Sequence, residues 1–191
     1  MSNDTAVEMF VGGLLLDRNT QAPVVILKDE KGLITLPIWI GIAEATSIAS
    51  AINQINMARP LTHDLVNDIF GKIGVSVQRV VITELKESTY FAELVVSQGD
   101  KVLIFDSRPS DAIALALRSA APIFVTQEVL DQAKVTFSSS QPEGDSVPPG
   151  QGLSQDSGNT APQTGDFTNI DKDKWIEILN NLDPDDFKYK M

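Results

Sequence analysis

Six consecutive residues concentrate side chains that could bind a ligand. Residues 106–111 read Asp-Ser-Arg-Pro-Ser-Asp, so that two carboxylates, two hydroxyls and one guanidinium lie in a single short stretch. An apolar strand pattern ends just before this stretch, and an Ala/Leu-rich helix pattern begins with Pro109 in its first turn. A junction of this kind presents backbone N–H groups as well as side chains to a ligand.

The same residues also fit a purely structural role. Asp106 or Ser107 would cap the helix by accepting hydrogen bonds from its first-turn N–H groups, and Asp111 would complement the helix dipole. Arg108 does not fit this role, because a cation is disfavoured at the positive end of a helix. We therefore expect Arg108 to pair with a neighbouring carboxylate or a bound anion. Both interpretations stay open at this point.

Residues 59–64, Arg-Pro-Leu-Thr-His-Asp, form a second candidate. Thr62 is expected to cap a helix that runs to about residue 72, with His63 and Asp64 in its first turn. A lone histidine at a helix start is more often structural than catalytic. Neighbouring residues on a helix point about 100° apart, so His63 and Asp64 are not expected to bond to each other. Glu44, the third candidate, is by itself a favourable charge in the first turn of a helix.

Hydrophobic periodicity predicts three strands followed by a helix in each half of the chain. Pro37 places the third strand at a sheet edge, a bulge or a strand end. The predicted strands are 7–16, 23–28, 33–39, 75–85, 89–96, 101–105 and 122–125, and the predicted helices are 41–55, 62–72, 109–119 and 127–134, the last capped by Thr126.

The second half of this pattern repeats the first. An offset of 67 positions aligns Gly32 with Gly99 and Glu44 with Asp111, and it aligns the apolar positions around them. The sequence therefore predicts internally duplicated β-β-β-α units. If the two units fold about a pseudo-twofold axis, the helix starts that carry Glu44 and Asp111 approach each other.

Composition limits the chemistry that the chain can perform. The 191 residues include one histidine and no cysteine, and the net charge is −11. Disulfides, cysteine-bound zinc and a thiol nucleophile are therefore excluded, and a metal site would have to use Asp, Glu or His63. The negative charge also argues against a broad basic surface for nucleic acid. No signal peptide or membrane-spanning pattern is found, so we expect a soluble, cytoplasmic protein without membrane contact.

The chain divides into three predicted regions. Residues 1–137 form the domain, and residues 138–169, rich in Ser, Gly, Pro, Gln and Asp, form a disordered linker. Residues 170–191 contain a short amphipathic helix and a tail. The apolar face of this helix is expected to dock on its own domain, on a sister subunit or on another protein; it consists of Trp175, Ile178, Leu179 and Leu182.

Three separate motifs closely resemble those of the bifunctional nuclease domain family. They are residues 106–118, residues 36–41 with Glu44 and Ala45, and residues 59–65, and the resemblance extends over about residues 7–133. The tail, residues 181–191, is similar to the ending of some bacterial members. The resemblance implies an α+β domain built on an antiparallel or mixed sheet, self-association into a homo-oligomer such as a dimer, and degradation of both RNA and DNA.

The resemblance supplies no mechanism, and we therefore build one as a hypothesis. Glu44, Asp106 and Asp111 would bind Mg²⁺ or Mn²⁺, which would activate a water molecule; no organic cofactor is expected. Arg59 and Arg108 would neutralise the transition state, and His63 would transfer a proton. Asp64 and Ser110 complete the set of catalytic candidates. The alternative is a non-enzymatic regulatory or ligand-binding module, in which Arg59 and Arg108 bind carboxylates of their own fold.

Overall fold

Two antiparallel groups of three strands flank a short central strand. The computed structural model describes residues 5–17, 20–55 and 57–133, together with the backbone of residues 167–169. The elements, in chain order, are β1 (Ala6–Asp17), β2 (Pro23–Asp29), β3 (Thr35–Trp39), α1 (Ile42–Ile52), α2 (Thr62–Lys72), β4 (Val75–Lys86), β5 (Thr89–Gln98), β6 (Lys101–Ser107), α3 (Pro109–Ser119), β7 (Ile123–Thr126), α4 (Gln127–Ala133) and β8 (Phe167–Asn169).

The sheet has the strand order β3-β2-β1-β7-β4-β5-β6. All neighbouring strands run antiparallel except β4 and β7, which are parallel, so the sheet is mixed. Short turns join the strands within each group of three, whereas β7 joins the groups by pairing with β1 and β4. β8 pairs with the end of β1. The predicted α+β class with a mixed sheet is confirmed.

The helices and the sheet share one hydrophobic core. β2 carries a continuous run of buried apolar residues, as expected for a strand covered on both faces. Ala-rich α3 packs against α1, α2, β4 and β5, and its small side chains allow this close approach. Residues from both halves of the chain are fully buried in the core; examples are Leu27, Ile48, Ile82, Ile113 and Val125.

Several local predictions can be compared with the structure. Pro37 does lie in an edge strand, since β3 pairs only with β2 within the described residues. Thr126 does cap α4, because its Oγ1 accepts a hydrogen bond from the Val129 N–H at 3.4 Å. Thr62 is not a cap, however. The N-cap of α2 is Leu61, and its N–H donates to Asp64 Oδ2 at 2.8 Å.

The predicted capping of α3 by Asp106 or Ser107 is wrong. The N-cap position is occupied by Arg108, and no side chain caps the helix. The Ser107 hydroxyl instead donates to the Arg108 carbonyl at 3.1 Å. Pro109 does occupy the first turn, as predicted. The first turn of α3 therefore retains backbone N–H groups without a side-chain cap.

Both halves of the chain follow the predicted β-β-β-α order, and α2 is added after the first half. The internal duplication itself stays a prediction. The boundaries of the linker and the C-terminal helix also stay predictions, because these segments lie outside the described residues except for the backbone of β8. Within the described part of the chain, no helix is long and apolar enough to cross a membrane.

Candidate functional site

Arg108 joins the first turns of two helices. Its Nη1 lies 2.8 Å from Glu44 Oε1 on α1. Its Nε donates to Asp111 Oδ2 at 2.6 Å, and its Nη2 donates to Asp111 Oδ1 at 3.1 Å, on α3. Glu44 and Asp111 both occupy the third position of their helices. The expected approach of Glu44 and Asp111 is therefore present, with the Arg108 guanidinium between them.

His63 extends this cluster from the first turn of α2. Its Nε2 lies 3.0 Å from Asp111 Oδ1, and its Nδ1 lies 2.7 Å from Ser47 Oγ on α1. Both ring nitrogens are thus occupied by groups of the protein. As expected, His63 does not bond to the adjacent Asp64. The three helices contribute one continuous polar cluster, which we call the helix-start cluster; it consists of Glu44, Ser47, His63, Arg108 and Asp111.

A second arginine fixes α2 in place. The side chain of Arg118, in the last turn of α3, is only 8% exposed. Its Nε donates to Asp64 Oδ1 at 2.5 Å, and its Nη1 donates to the carbonyls of Ser47 and Ala114 at 3.2 and 2.9 Å. Its Nη2 donates to Ser50 Oγ at 3.2 Å. Arg118 therefore ties α1 and α2 to α3 and positions the turn that carries His63.

Asp111 and Asp64 are both stabilised in their charged form. Burial raises the pKa of Asp111, but hydrogen bonds from Arg108 and His63 outweigh this effect and hold the pKa below its ordinary value. Burial likewise raises the pKa of Asp64, and the hydrogen bonds from Arg118 and the Leu61 N–H again produce a net lowering. The hydrogen bond to Asp111, opposed by burial, raises the pKa of Arg108. These groups remain an ionised network at neutral pH.

This network predicts a loss of stability in acid. A carboxyl whose pKa is lower in the folded than in the unfolded state stabilises the fold above its unfolded pKa, and the effect disappears as pH falls through the folded pKa. The ordinary value for both aspartates is 3.8. We therefore expect the urea midpoint to fall as pH is lowered below about 4. The Asp64→Asn and Asp111→Asn proteins should lose less stability over this range than the wild type, whereas Asp68→Asn, on the exposed side of α2, should follow the wild type. An unchanged pH dependence in both asparagine variants would contradict the ionised network.

Gly41 allows the Glu44 side chain to fold back over the start of α1. Gly41 is the N-cap of this helix and supplies no side-chain cap. A Cβ atom at this position would lie 2.3 Å from Glu44 Oε2, so any larger residue would displace that carboxylate or have to shift itself. The starts of α1 and α3 thus meet at Arg108 with no side-chain cap on either helix. Such starts favour the binding of an anion.

A cavity of about 380 Å³ opens beside the helix-start cluster. One wall combines the end of β3 with the start of α1, and the other combines the turn between β4 and β5 with the start of α3. The cavity therefore brings together residues of β3 and β5, which are not neighbours in the sheet. Its lining includes the charged pair Glu44 and Arg108, the aromatic residues Trp39 and Tyr90, and the hydroxyl of Ser110.

The structure brings together most of the predicted site residues, but not all of them. Glu44, His63, Arg108 and Asp111 are linked directly, Ser110 lines the adjoining cavity, and Asp64 is connected through Arg118. Arg59 and Asp106 are exposed and have no side-chain hydrogen bond or ion pair within the described residues. Side chains alternate along β6, so Asp106 lies on the same face as Ile104. Phe105 lies on the opposite face, beside Leu94 of β5.

Ser47 and Arg118 were not predicted as parts of the site. Ser47 and Ser50 lie one turn apart on the buried face of α1, whose other buried residues are Ala and Ile. Buried hydroxyls on such a face indicate a polar partner, so this spacing was an available signal. Arg118 lies in the last turn of α3, where a cation is ordinary, and its sequence position did not reveal the partner on α2.

The cluster as it stands does not fit a metal ion. Within the described ranges, no group of three or more His, Asp or Glu side chains is arranged to bind one. Glu44 and Asp111 face the Arg108 guanidinium, and Asp106 is not linked to them. The metal role of these three residues stays a prediction.

Comparisons with known proteins identify both bacterial and plant relatives of this chain. The chain is 34% identical to the uncharacterized protein Rv1829 of Mycobacterium tuberculosis over 181 residues, which cover 95% of this chain and 98% of that protein. It is 37% identical to bifunctional nuclease 2 of Arabidopsis thaliana and 33% identical to bifunctional nuclease 2 of Oryza sativa subsp. japonica. These two matches cover 54% and 59% of this chain, but only 32% and 36% of the plant proteins.

A model of the bifunctional nuclease domain matches residues 25–138. This range contains the helix-start cluster, Arg118 and the whole cavity lining. The matched range makes up more than half of the 191 residues. The chain therefore belongs to the bifunctional nuclease domain family.

Proposed function

We propose that this protein is a nuclease that hydrolyses phosphodiester bonds in RNA and DNA, and that the helix-start cluster and its cavity form the active site. One observation carries this proposal: Arg108 is held by Glu44 and Asp111 at the wall of a cavity while its side chain remains 62% exposed. A fixed, accessible guanidinium is well suited to bind a phosphate. The names of the plant relatives support the same reaction.

Arg108 has hydrogen-bonding capacity left for a substrate. A guanidinium has five N–H groups, and the contacts with Glu44 and Asp111 use three of them. The two remaining N–H groups can donate to phosphate oxygens. The uncapped starts of α1 and α3 add a positive potential at the same place. Arg108 and the helix starts would stabilise the negative charge that grows on the phosphate in the transition state.

Glu44 is the best placed group to activate water. Both oxygens of Asp111 and both nitrogens of His63 are occupied within the cluster. Glu44 lines the cavity, and only its Oε1 is bound to Arg108. Glu44 would take a proton from water as the water oxygen attacks phosphorus, and the bond from phosphorus to the leaving sugar oxygen would break. His63 is then a positioning residue for Asp111.

Tyr90 is the proposed donor to the leaving oxygen. It lines the same cavity, and burial raises its pKa, so the phenol stays protonated at neutral pH. The leaving oxygen would take this proton, and the tyrosine would regain one from solvent. Trp39 and Tyr90 also offer aromatic surfaces on which an unpaired base can stack. A base within a duplex would first have to leave its stack, so we expect single strands to be preferred.

A cleavage assay with matched variants tests this function. Full-length protein is incubated with labelled single-stranded and double-stranded RNA and DNA, each in Mg²⁺, Mn²⁺ or EDTA. Glu44→Gln removes the proposed base while keeping the size of the side chain, and we expect cleavage to slow by about 100-fold. Asp68→Asn, an equivalent loss of one charge on the exposed side of α2, should leave the rate within about twofold of the wild type.

Two outcomes of this assay would overturn the proposal. No cleavage by the wild type in any metal condition would exclude the activity, and equal cleavage by wild type and Glu44→Gln would place the activity elsewhere or in a contaminant. Circular dichroism of each variant confirms that it is folded. Cleavage that requires Mg²⁺ or Mn²⁺ would support the predicted metal role and require that Arg108 move away from the two carboxylates.

A specific observation favours the alternative of a non-enzymatic module. Arg108 binds two carboxylates of its own fold, as that alternative predicted, and Arg118 binds a third. The same prediction for Arg59 is not met, because its side chain has no ion pair within the described residues. The cluster would then hold three helices together, and the cavity would bind a ligand without cleaving it. Binding of single-stranded RNA or DNA that Arg108→Met abolishes, in the absence of any cleavage, would support this function.

A further inference from the structure

β2 is buried on both of its faces. On the face that packs against the helices, Val25 and Leu27 belong to the hydrophobic core. Side chains alternate along a strand, so Val24 and Ile26 lie on the opposite face, which we call the back face of the sheet. Neither of them belongs to the core, yet Val24 is 0% exposed and Ile26 is 4% exposed. This burial indicates a second layer that covers the back face at these positions.

The covered part is one end of the back face. Phe10 and Leu15 both lie on the back face of β1, and Leu15 pairs directly with Val24. Phe10 is 50% exposed, whereas Leu15 is half-buried. Pro37 pairs with Ile26 and is buried, although it lies in an edge strand. The layer therefore covers the back face around Val24 and Ile26 and does not extend to Phe10.

β8 brings the C-terminal part of the chain to this end. β1 has two edges, and β2 occupies one of them along residues 9–16. β8 pairs with residues 15–17 of β1, so it lies on the other edge, in line with β7. Its last residue, Asn169, pairs with Leu15, which in turn pairs with Val24. Asn169 is thus two strand spacings, or about 10 Å, from Val24.

We propose that residues 170–182 are the layer that covers the back face of their own chain, in contact with Val24 and Ile26. The segment has the composition that this role needs, because burial of apolar side chains requires an apolar partner surface. The apolar side chains that a helix of this segment places on one face are Trp175, Ile178, Leu179 and Leu182. The helix lies with this face on the sheet and its charged residues towards water.

Two other occupants of the back face are less suitable. Residues 138–166 contain only two branched aliphatic residues, Val147 and Leu153, and offer little apolar surface. A second copy of the chain competes with a tethered segment. Five residues separate Asn169 from Trp175, and an extended chain of this length spans about 20 Å, which is enough to reach the back face. So short a tether gives an effective concentration in the millimolar range, above that of a second molecule.

The back face also reaches the cavity. Trp39 pairs with Val24, so the two side chains lie on the same face. The Trp39 Nε1 donates to Asp17 Oδ2 at 3.4 Å, and Trp39 lines the cavity. A segment that covers Val24 therefore lies beside the cavity wall that Trp39 forms.

Thiol labelling of full-length proteins tests this placement. The chain has no cysteine, so one introduced thiol reports on one position. Val24→Cys places the thiol on the back face and Val25→Cys places it on the core face, and both valines are 0% exposed. The rate of reaction with an aromatic disulfide reagent is measured for each thiol, alone and combined with Ile178→Asp or Ile176→Asp. Ile176 is the matched control, because it lies about 110° from the middle of the apolar face of the helix.

Ile178→Asp should raise the labelling rate of Val24→Cys at least about tenfold, because a carboxylate is costly to bury against an apolar surface. The rate of Val25→Cys should change by less than about twofold, and Ile176→Asp should leave both rates within about twofold. Protection of Val24→Cys should not depend on protein concentration.

Three outcomes would overturn the proposal. An unchanged rate for Val24→Cys in the Ile178→Asp protein would mean that another segment covers the back face. Equal acceleration of Val24→Cys and Val25→Cys would mean that residues 170–182 stabilise the whole domain from a different position. Protection of Val24→Cys that is lost on dilution would mean that a second copy supplies the cover.

Discussion

Replacing Arg118 by methionine is expected to lower the free energy of unfolding by about 3 kcal/mol. The substitution removes a cation that is almost fully buried and leaves Asp64 without its partner. It also removes the hydrogen bonds to the carbonyls of Ser47 and Ala114. The estimate lies at the lower end for a broken buried ion pair, because Asp64 is partly exposed and regains some contact with water. Urea denaturation monitored by circular dichroism measures the change.

Two further proteins show whether the ion pair is the cause. The double variant Arg118→Met with Asp64→Asn should recover part of the lost stability, because no uncompensated carboxylate remains. Arg79→Met, an exposed substitution of the same type on β4, should change the free energy of unfolding by less than about 0.5 kcal/mol. An Arg118→Met protein as stable as the wild type would mean that α2 is held by its apolar contacts alone.

Replacing Arg108 by methionine is expected to slow nucleic acid cleavage by about 1,000-fold. The substitution removes the proposed phosphate ligand and leaves Glu44 at the cavity wall and Asp111 behind it without a cation between them. Their negative charge would then repel the substrate. Initial cleavage rates for single-stranded RNA and DNA measure the effect, at substrate concentrations both below and above KM.

Arg108→Lys separates charge from geometry. A lysine retains the positive charge, but it has one point of attachment and cannot bind Glu44 and Asp111 through separate nitrogens. We expect its activity to lie between those of wild type and Arg108→Met. Arg79→Met serves again as the control and should cleave at the wild-type rate. Wild-type activity in a folded Arg108→Met protein would contradict the proposed role of the guanidinium.

Local signals were sufficient for most of the fold. Periodicity located every helix and strand of residues 5–133, because most of the elements direct an apolar face to one shared core. The prediction of the caps was less successful. Thr62 and Ser107 have residue types that favour capping, but the chain begins α2 and α3 so that Leu61 and Arg108 take the N-cap positions. The ion pair of Asp64 with Arg118 at the start of α2, and that of Arg108 with Glu44 at the start of α3, outweigh this local preference.

The candidate site was predictable only in part, for a different reason. The repeat placed Glu44 and Asp111 at equivalent positions, and the cation at residue 108 was expected to bind a carboxylate; both expectations agree with the geometry. The contact of His63 with Asp111 joins residues 48 positions apart, and nothing in either local sequence specifies it. Which surfaces line the cavity depends on how β3 and the turn after β4 approach each other, and this is a property of the whole sheet.

The position of β7 in the chain has a consequence for how the protein forms during synthesis. β7 supplies only four residues, yet it is the strand between β1 and β4, and it is made after both of them. While the chain is still leaving the ribosome, no strand joins the two three-strand groups, and the edges of β1 and β4 that will meet β7 are open. Closing the sheet brings residue 6 to residue 126, a long loop whose ordering makes folding slow. The nascent chain is therefore most prone to pair with a neighbouring chain just before β7 emerges.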